Sequence, residues 1–403
     1  MERTAGNQVT IKENNQRLII DSLMKLGATS RAELAKRLKL SAPSVSKNIN
    51  CLLKKNILRE IGAGDSIGGR RPILLEFNYN YGYIIGVDLS GQELRLALGN
   101  LKSEILEART IAIADIKSGK AILDIVADNI EEIFAKNRLK IKQLLAIALG
   151  FPGTINQDTG YSLALPMWLY IWDEVNIIEE LRKRFKAKVI VKNDINLAAL
   201  GEHYYGVGKN YKNLAYVSVD MGVGAGVIIE NNLYEGTRRA AGEIGYFISN
   251  IEDLKHENKA VGPLESRIGL PSLVERVKQA VRSRENSIIT ELTAGDADKV
   301  NVRMIEKAIR LKDPYIMKEM AGITFELGMA LANISILLDL ESIILGGKLV
   351  DLGYDFLTPL NAITQKVTPF NTKVFYSALD QNAIIYGAFT IALEHIQENI
   401  LKK

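Results

Sequence analysis

The chain has 403 residues, 47% of them hydrophobic and 24% charged, which is too long for one compact domain and enough to build sizeable cores. No apolar run approaches the roughly 20 residues that cross a bilayer, and the opening MERTAGNQVTIKENNQR lacks the apolar segment of a secretory leader, so a cytoplasmic protein with no membrane partner is expected. The single cysteine, Cys51, excludes an internal disulfide and any zinc site built from several thiolates.

Charge is unevenly spread. Residues 1–77 hold 14 Lys and Arg against 7 Asp and Glu, a net of +7, so with +4 overall the remainder carries −3. A basic segment on a slightly acidic body suggests a nucleic-acid-binding module joined to something else. Periodicity predicts a helix from about Glu13 to Leu26 with Leu18, Ile19, Leu23 and Leu26 inward and Gly27 ending it. Ser30 and Glu33 form a capping box for a short second helix that uses Leu34, Ala35 and Leu38. Ser41 caps a third helix, where Pro43 is tolerated in the first turn.

In that third helix Val45, Ile49, Leu52 and Leu53 share one face, while Ser44, Lys47 and Cys51, with Asn48 and Asn50 beside them, share another. Small, amide and basic side chains on one face suit entry into a major groove. From Ile57 to Phe77 two strands flank a glycine-rich loop ending in Arg70-Arg71-Pro72, whose arginines can reach phosphates or a minor groove. This is the pattern of a winged helix-turn-helix; the alternative is a small helical dimerisation module with a solvated basic face.

From Tyr83 the pattern changes to α/β. A buried strand ends in Asp88-Leu-Ser-Gly91, a second strand runs over Glu93–Leu98, and a third lies near Arg109–Ile113. A helix at Ala121–Ala135 and a strand at Leu144–Leu149, ending in Gly150-Phe-Pro-Gly153, complete one lobe. A second lobe is expected from about Trp172, and it includes the strand and helix around Asn193-Asp194. An acid where a buried strand hands over to a helix can contact a ligand at the mouth of a sheet, or can simply cap the helix. The strand Leu214–Asp220 leads into Gly222, Gly224 and Gly226, which either present amides to a phosphate or serve a turn that needs positive φ. Charged helices fill Ser266–Arg310, with a polar break near Asn286 and Thr293. A long apolar helix covers Tyr315–Leu338 with Ala321, Leu327, Met329, Ala332 and Ile336 as core, and a last helix covers Ala383–Ile400.

Taken in order, DLSG, GFPG, VKNDIN, DMGVGAG, RRAAGEIGY, GPLE and ILGG, behind the helix-turn-helix and GGRRP, resemble the ROK family of sugar-responsive repressors and sugar kinases, especially its xylose-repressor branch. The resemblance implies a winged helix-turn-helix at 1–77 and, at 82–403, an actin-like domain of two ribonuclease-H-like lobes with a sugar in the cleft. It implies that Asn193 and Asp194 contact the sugar, Asp194 being the catalytic base in kinase members. It also implies that Gly153 lies near the sugar and that Glu243 and Glu265 contact its hydroxyls.

The chain departs from the family at three places. Tyr246 stands where a histidine is usual and could offer the sugar a hydroxyl. The cysteines that join that histidine on a zinc are replaced by Lys255-His-Glu-Asn-Lys-Ala-Val-Gly-Pro-Leu, so no metal is expected, and His256 reads as a surface side chain. The phosphate turn Asp-x-Gly-Gly-Thr has become Asp88-Leu89-Ser90-Gly91-Gln92. With Gly222, Gly224, Gly346 and Gly347 kept, this describes a vestigial nucleotide site, with no ATP cofactor. The expected function is a repressor of sugar catabolism genes that binds double-stranded operator DNA as a homodimer and responds to a monosaccharide, xylose first. The alternatives are an ATP-dependent sugar kinase with an appended DNA-binding domain, or a repressor that answers to a partner protein.

Overall fold

The computed structural model describes residues 8–63, 71–156, 160–164, 171–172, 175–255 and 260–401. The N-terminal module runs α1 (Gln8–Leu26), β1 (Thr29–Ser30), α2 (Arg31–Leu38), α3 (Ala42–Lys54), β2 (Leu58–Ala63) and β3 (Ile73–Phe77), its strands ordered β1-β3-β2 and antiparallel. Its core is Ile19, Ile20 and Leu23 of α1, Leu34 of α2, Val45, Ile49 and Leu52 of α3, and Leu75 and Phe77 of β3. Leu18 and Leu26, expected inside, are exposed, because the buried stripe of α1 runs through Gln16, Ile19, Ile20 and Leu23. Half of the expected capping box forms. The Glu33 N–H donates to Ser30 Oγ at 3.2 Å, while the Glu33 carboxylate accepts from Arg37 Nε at 2.5 Å.

The next part is an α/β unit. It comprises β4 (Tyr83–Asp88), β5 (Glu93–Asn100), β6 (Ile105–Ala112), α4 (Gly119–Lys136), β7 (Leu144–Phe151), β8 (Thr154–Ile155), β9 (Ser162–Ala164), α5 (Ile177–Arg184), β10 (Lys188–Asn193) and α6 (Asp194–Tyr205). Its main sheet is ordered β10-β7-β4-β5-β6. The strand before Asp194 therefore belongs to this first sheet and not to a second lobe: β10 lies parallel to β7, with Lys188 opposite Ala146 and Asn193 opposite Phe151. Val189 and Val191 bury themselves in the same core as α4 and α5, and Trp172 packs edge-on against Phe151. An apolar strand of this kind fits either sheet; its pairing partner decides.

The second unit comprises β11 (Leu214–Val219), β12 (Val223–Ile229), β13 (Asn232–Tyr234), α7 (Pro263–Ile268), α8 (Leu270–Arg282), α9 (Ile288–Leu292), α10 (Val302–Arg310), α11 (Pro314–Leu338), β14 (Ser342–Gly346), α12 (Leu357–Val367), β15 (Lys373–Tyr376) and α13 (Ala383–Asn399). Its sheet, β13-β12-β11-β14-β15, repeats the first in reverse listing: an antiparallel meander, then two parallel strands, then a helix. By length and composition α11 could cross a membrane, contrary to expectation, but Ile316, Met320, Ile323, Leu327, Leu331 and Ile334 bury it as a core helix. Leu327 and Ala332 are core as expected, Met329 is half-buried, and Ala321 and Ile336 face outward.

The two helices that end the two units, α6 and α13, cross each other between the sheets. A Cβ on Gly387 would lie 1.8 Å from the Leu197 carbonyl oxygen, and one on Gly201 would lie 2.1 Å from that of Ala383. The backbones therefore touch with no side chain between them. The far end of α13 meets the N-terminal module: Arg17 Nη2 donates to the Glu398 carbonyl at 2.8 Å, and Ile396 and Ile400 share a core with Ile19, Ile20 and Leu23. Gly387→Ala should therefore destabilise the chain by about 1–3 kcal/mol in denaturant melts. Gly322→Ala, on the open face of α11 where a Cβ meets nothing, should leave stability equal or slightly raised.

Candidate functional site

The end of β10 separates two roles that the sequence leaves together. Asn193 is the helix cap: its Oδ1 accepts the Asn196 N–H at 3.1 Å, and its Nδ2 donates to the Gly153 carbonyl at 3.4 Å. Gly153 has φ 121°, a conformation that glycine tolerates and that turns this carbonyl toward Asn193. Asp194, relieved of capping, is the first residue of α6 and is 9% exposed. Its Oδ1 accepts the N–H of Ile195 at 2.9 Å, and among the described residues no Lys or Arg forms an ion pair with it. Burial, reinforced by the Asp88 and Asp220 carboxylates, pushes its pKa up to about 7.

Asp88 and Asp220 stand at equivalent places, the ends of the first strands of the two sheets. Asp88 is buried, which raises its pKa, while Ser90 and Arg95 oppose the rise. Its Oδ1 accepts both the Ser90 N–H at 2.8 Å and the Ser90 hydroxyl at 2.6 Å. Asp220 is also raised by burial, with Lys348 opposing, and its carboxylate accepts the Met221 and Lys348 N–H groups at 2.8 and 3.4 Å. Asp220 and Lys348 were not singled out in the sequence. The signal was there, since Val-Ser-Val-Asp220-Met-Gly repeats the strand-acid-turn pattern of Ile-Gly-Val-Asp88-Leu-Ser-Gly.

A second acidic group lies along the edge of β12. The Ala225 N–H donates to the Gly242 carbonyl at 2.7 Å, which holds the segment bearing Glu243 and Tyr246 against that strand. Glu265, on α7, accepts the Val223 N–H at 2.9 Å. Protein atoms crowding the carboxyls raise both Glu243 and Glu265, and Glu265 adds to the rise at Glu243. The Tyr246 hydroxyl is raised by burial and then by these two acids, so the three groups share one electrostatic neighbourhood although Tyr246 is 48% exposed. Ile195, next to Asp194, is the nearest neighbour of a Cβ built on Gly224, with the Gly242 carbonyl beyond it. Asp194 and the Glu243 segment thus flank the same short stretch of β12.

The glycines have other employment than the one expected. Gly224 and Gly226 lie inside β12 with negative φ, and a Cβ on either would strike Ile195 or Ala199, so they let α6 approach the sheet. Gly346 leaves room for the Tyr216 hydroxyl, and Gly347 has φ 91° against the Val219 carbonyl. Gly222 and Gly91 alone sit in open turns beside Asp220 and Asp88.

On α3, Ser41 Oγ accepts the Ser44 N–H at 3.4 Å, and Lys47 is exposed. Asn48 is a correction: it is 5% exposed and its Nδ2 donates to the Ser44 carbonyl at 3.0 Å, because it falls on the buried stripe with Val45, Ile49 and Leu52. Asn50 takes the outer face and accepts from Arg31 Nη1 at 2.9 Å. Arg71 is exposed; Arg70 and His256 lie outside the described residues.

The described residues offer no zinc-binding group. Among those described, no three His, Cys, Asp or Glu side chains are grouped to hold a metal, and the one cysteine is on α3 of the N-terminal module.

Comparison with known proteins adds the family. The ROK family model matches residues 84–395. The xylose repressor of Caldicellulosiruptor bescii is 28% identical over 398 residues, covering 96% of this chain and 97% of that protein. A solved ROK family transcriptional regulator, a homologue of the E. coli MLC protein, superimposes with a TM-score of 0.78 at 22% identity, over 97% of this chain and 98% of its own. A ROK family glucokinase from Streptomyces griseus, solved with glucose and AMPPNP, gives 0.64 at 23% identity, over 78% of this chain and 100% of its own.

The raised pKa of Asp194 has a definite sign. The folded state favours the protonated acid, so its stability contribution is intact below the unfolded value of about 4 and is lost as pH rises through about 7. Asp194→Asn, neutral throughout, should therefore melt higher than the unaltered chain at pH 8, and the gap should shrink toward pH 4.5. Calorimetric melts at the two pH values measure this, and a gap independent of pH would contradict a buried ionised Asp194.

Proposed function

The chain belongs to the ROK family, and we propose that it is a transcriptional repressor of sugar catabolism genes whose operator affinity is set by a monosaccharide held between the two lobes. The carrying observation is that Asp194, buried and without an ion pair among the described residues, opens the very helix that crosses α13, while α13 in turn carries the basic N-terminal module. Carboxylates and amides accept or fork hydrogen bonds from adjacent hydroxyls, and Asp194, Asn193, Glu243, Glu265 and Tyr246 provide such a set beside the bend at Gly153. The name of the Caldicellulosiruptor bescii relative makes xylose the first candidate.

In this reading residues 1–77 are a winged helix-turn-helix, with α3 entering the major groove through Ser41, Ser44 and Lys47 and with Arg70 and Arg71 on the wing. Residues 82–403 form the actin-like effector domain, and its repeated sheets are the two ribonuclease-H-like halves. One module reads a short half-site, so two copies on a palindrome supply specificity. The sugar weakens operator binding only by preferring a conformation the operator does not.

Operator affinity, followed by fluorescence anisotropy, should fall when xylose is added. Asp194→Asn and Glu243→Gln should each abolish the response, measured against each variant's own sugar-free affinity. Lys47→Ala should weaken operator binding and lower the salt slope by about 1. An operator affinity indifferent to every monosaccharide in a panel would refute the effector role.

One observation favours a second reading, an ATP-dependent sugar kinase: a carboxyl with a pKa near 7 is suited to take a proton from a sugar hydroxyl. Phosphate transfer from ATP to the same panel tests it. The expected result is no turnover above that of Asp194→Asn; turnover that this substitution removes would make the protein an enzyme.

A further inference from the structure

Of the segment that follows Tyr246, Phe247 packs against the core of the second unit, and the stretch beyond it is held down by charge. Ile248, Ile251 and Leu254 on it are 58%, 75% and 70% exposed, so apolar burial of these side chains does not anchor it. Arg267, in the last turn of α7, does. Its Nη1 donates to Asp253 Oδ1, its Nη2 donates to Ser249 Oγ at 2.5 Å, and its Nε lies 3.2 Å from Glu326 Oε2 on α11. Asp253, 9% exposed, gathers the loop around itself. Its Oδ2 accepts the N–H groups of Ser249 and Asn250 at 2.7 and 3.2 Å, and its own N–H donates to Asn250 Oδ1 at 3.1 Å. Ser249 Oγ also donates to Glu326 Oε2 at 3.1 Å. Burial would lift the Asp253 carboxyl, but the two amides and the guanidinium outweigh it and hold the group below its ordinary range.

The same elements carry the proposed effector residues. Glu265 is two residues before Arg267 on α7, and Tyr246 is three residues before Ser249. The backbones of the two segments touch beside them, since a Cβ on Gly262 would lie 2.1 Å from the Gly245 carbonyl. A short helix and an irregular loop have little rigidity of their own, so their relative position depends on what ties them together. A planar guanidinium that hydrogen-bonds two loop residues and lies at ion-pair distance from a carboxylate on α11 is suited to that task.

We propose that Arg267, with Asp253, Ser249 and Glu326, is a metal-free clasp that positions Glu243, Tyr246 and Glu265 for the sugar. Arg267 is thus a positioning residue for the effector site, a role that rests on the sugar-sensing reading. Loss of a salt bridge that served stability alone would lower the melting temperature without a selective effect on sugar affinity.

The full chain and its Arg267→Met, Arg267→Lys and Glu326→Gln variants are titrated with D-xylose by calorimetry, with and without EDTA, and hydrogen exchange is followed over residues 243–255. EDTA should change nothing in the unaltered chain. Arg267→Met should bind xylose about tenfold more weakly, with sugar-free operator affinity within about twofold and faster exchange confined to 243–255. Arg267→Lys and Glu326→Gln should fall between, and they carry the test if Arg267→Met does not fold. Unchanged xylose affinity in all variants overturns the clasp and leaves the sensing role standing, as does loss of binding in EDTA that zinc restores. If the unaltered chain binds neither xylose nor any other monosaccharide, the sensing role fails and the positioning role falls with it, whatever the exchange data show.

Discussion

The contact on which the arrangement depends is the crossing of α6 and α13, where Gly201 meets the Ala383 backbone and Gly387 meets the Leu197 backbone. Each helix closes one α/β unit, so the crossing is also the joint between the units. At these two points no side chain separates the helices, while Leu197 and Leu200 of α6 share a buried core with Ile385 and Phe389 of α13, so a change of angle between them would repack that core. Both ends of the joint matter. One end is Asp194, and the other reaches Arg17 through Glu398. A ligand that shifts the first turn of α6 therefore acts on the element that also holds the N-terminal module.

The acids between the sheets are an unfavourable arrangement kept for a purpose. Burial raises all three of Asp88, Asp194 and Asp220; Asp88 and Asp220 raise Asp194 further, Asp220 raises Asp88, and the cationic help from Arg95 at Asp88 and Lys348 at Asp220 is partial. A fold selected for stability alone would replace or pair them, since an uncompensated buried carboxylate is among the costlier features a protein can hold. Hydroxyl groups that donated to these carboxylates would offset that penalty, and stability and ligand affinity would then be set against each other at Asp194.

Much of this was legible in the sequence because local chemistry and position agreed. Strand ends carrying Asp88 and Asp194, the bend at Gly153, the cap at Ser41 and the order of motifs all required only neighbours in the chain. The misreadings needed information from elsewhere. Asn48 and Leu18 lie at the margin of a helical stripe, where one position of rotation decides burial, and only the tertiary neighbours of α1 and α3 fix that rotation. The strand Lys188–Asn193 could have joined either sheet, and its pairing with Leu144–Phe151 is a long-range choice. Gly224 and Gly226 looked like loop residues because close helix packing and phosphate binding ask for the same missing side chain.

The repeat of sheet order follows from the family resemblance and not from the residues alone: the two halves share a topology and the strand-acid-turn pattern at Asp88 and Asp220, but little other sequence. Their turns then differ in a way that bears on chemistry. In the first half, Ser90 gives both its N–H and its hydroxyl proton to Asp88, so the turn is closed upon its own carboxylate. A phosphate cradle needs those donors pointing outward, toward incoming oxygens. In the second half, Asp220 likewise consumes the N–H of Met221 and engages that of Lys348. Phosphate oxygens would gain those donors only by breaking hydrogen bonds that now serve the acids, whereas a neutral sugar makes no such demand on the turns.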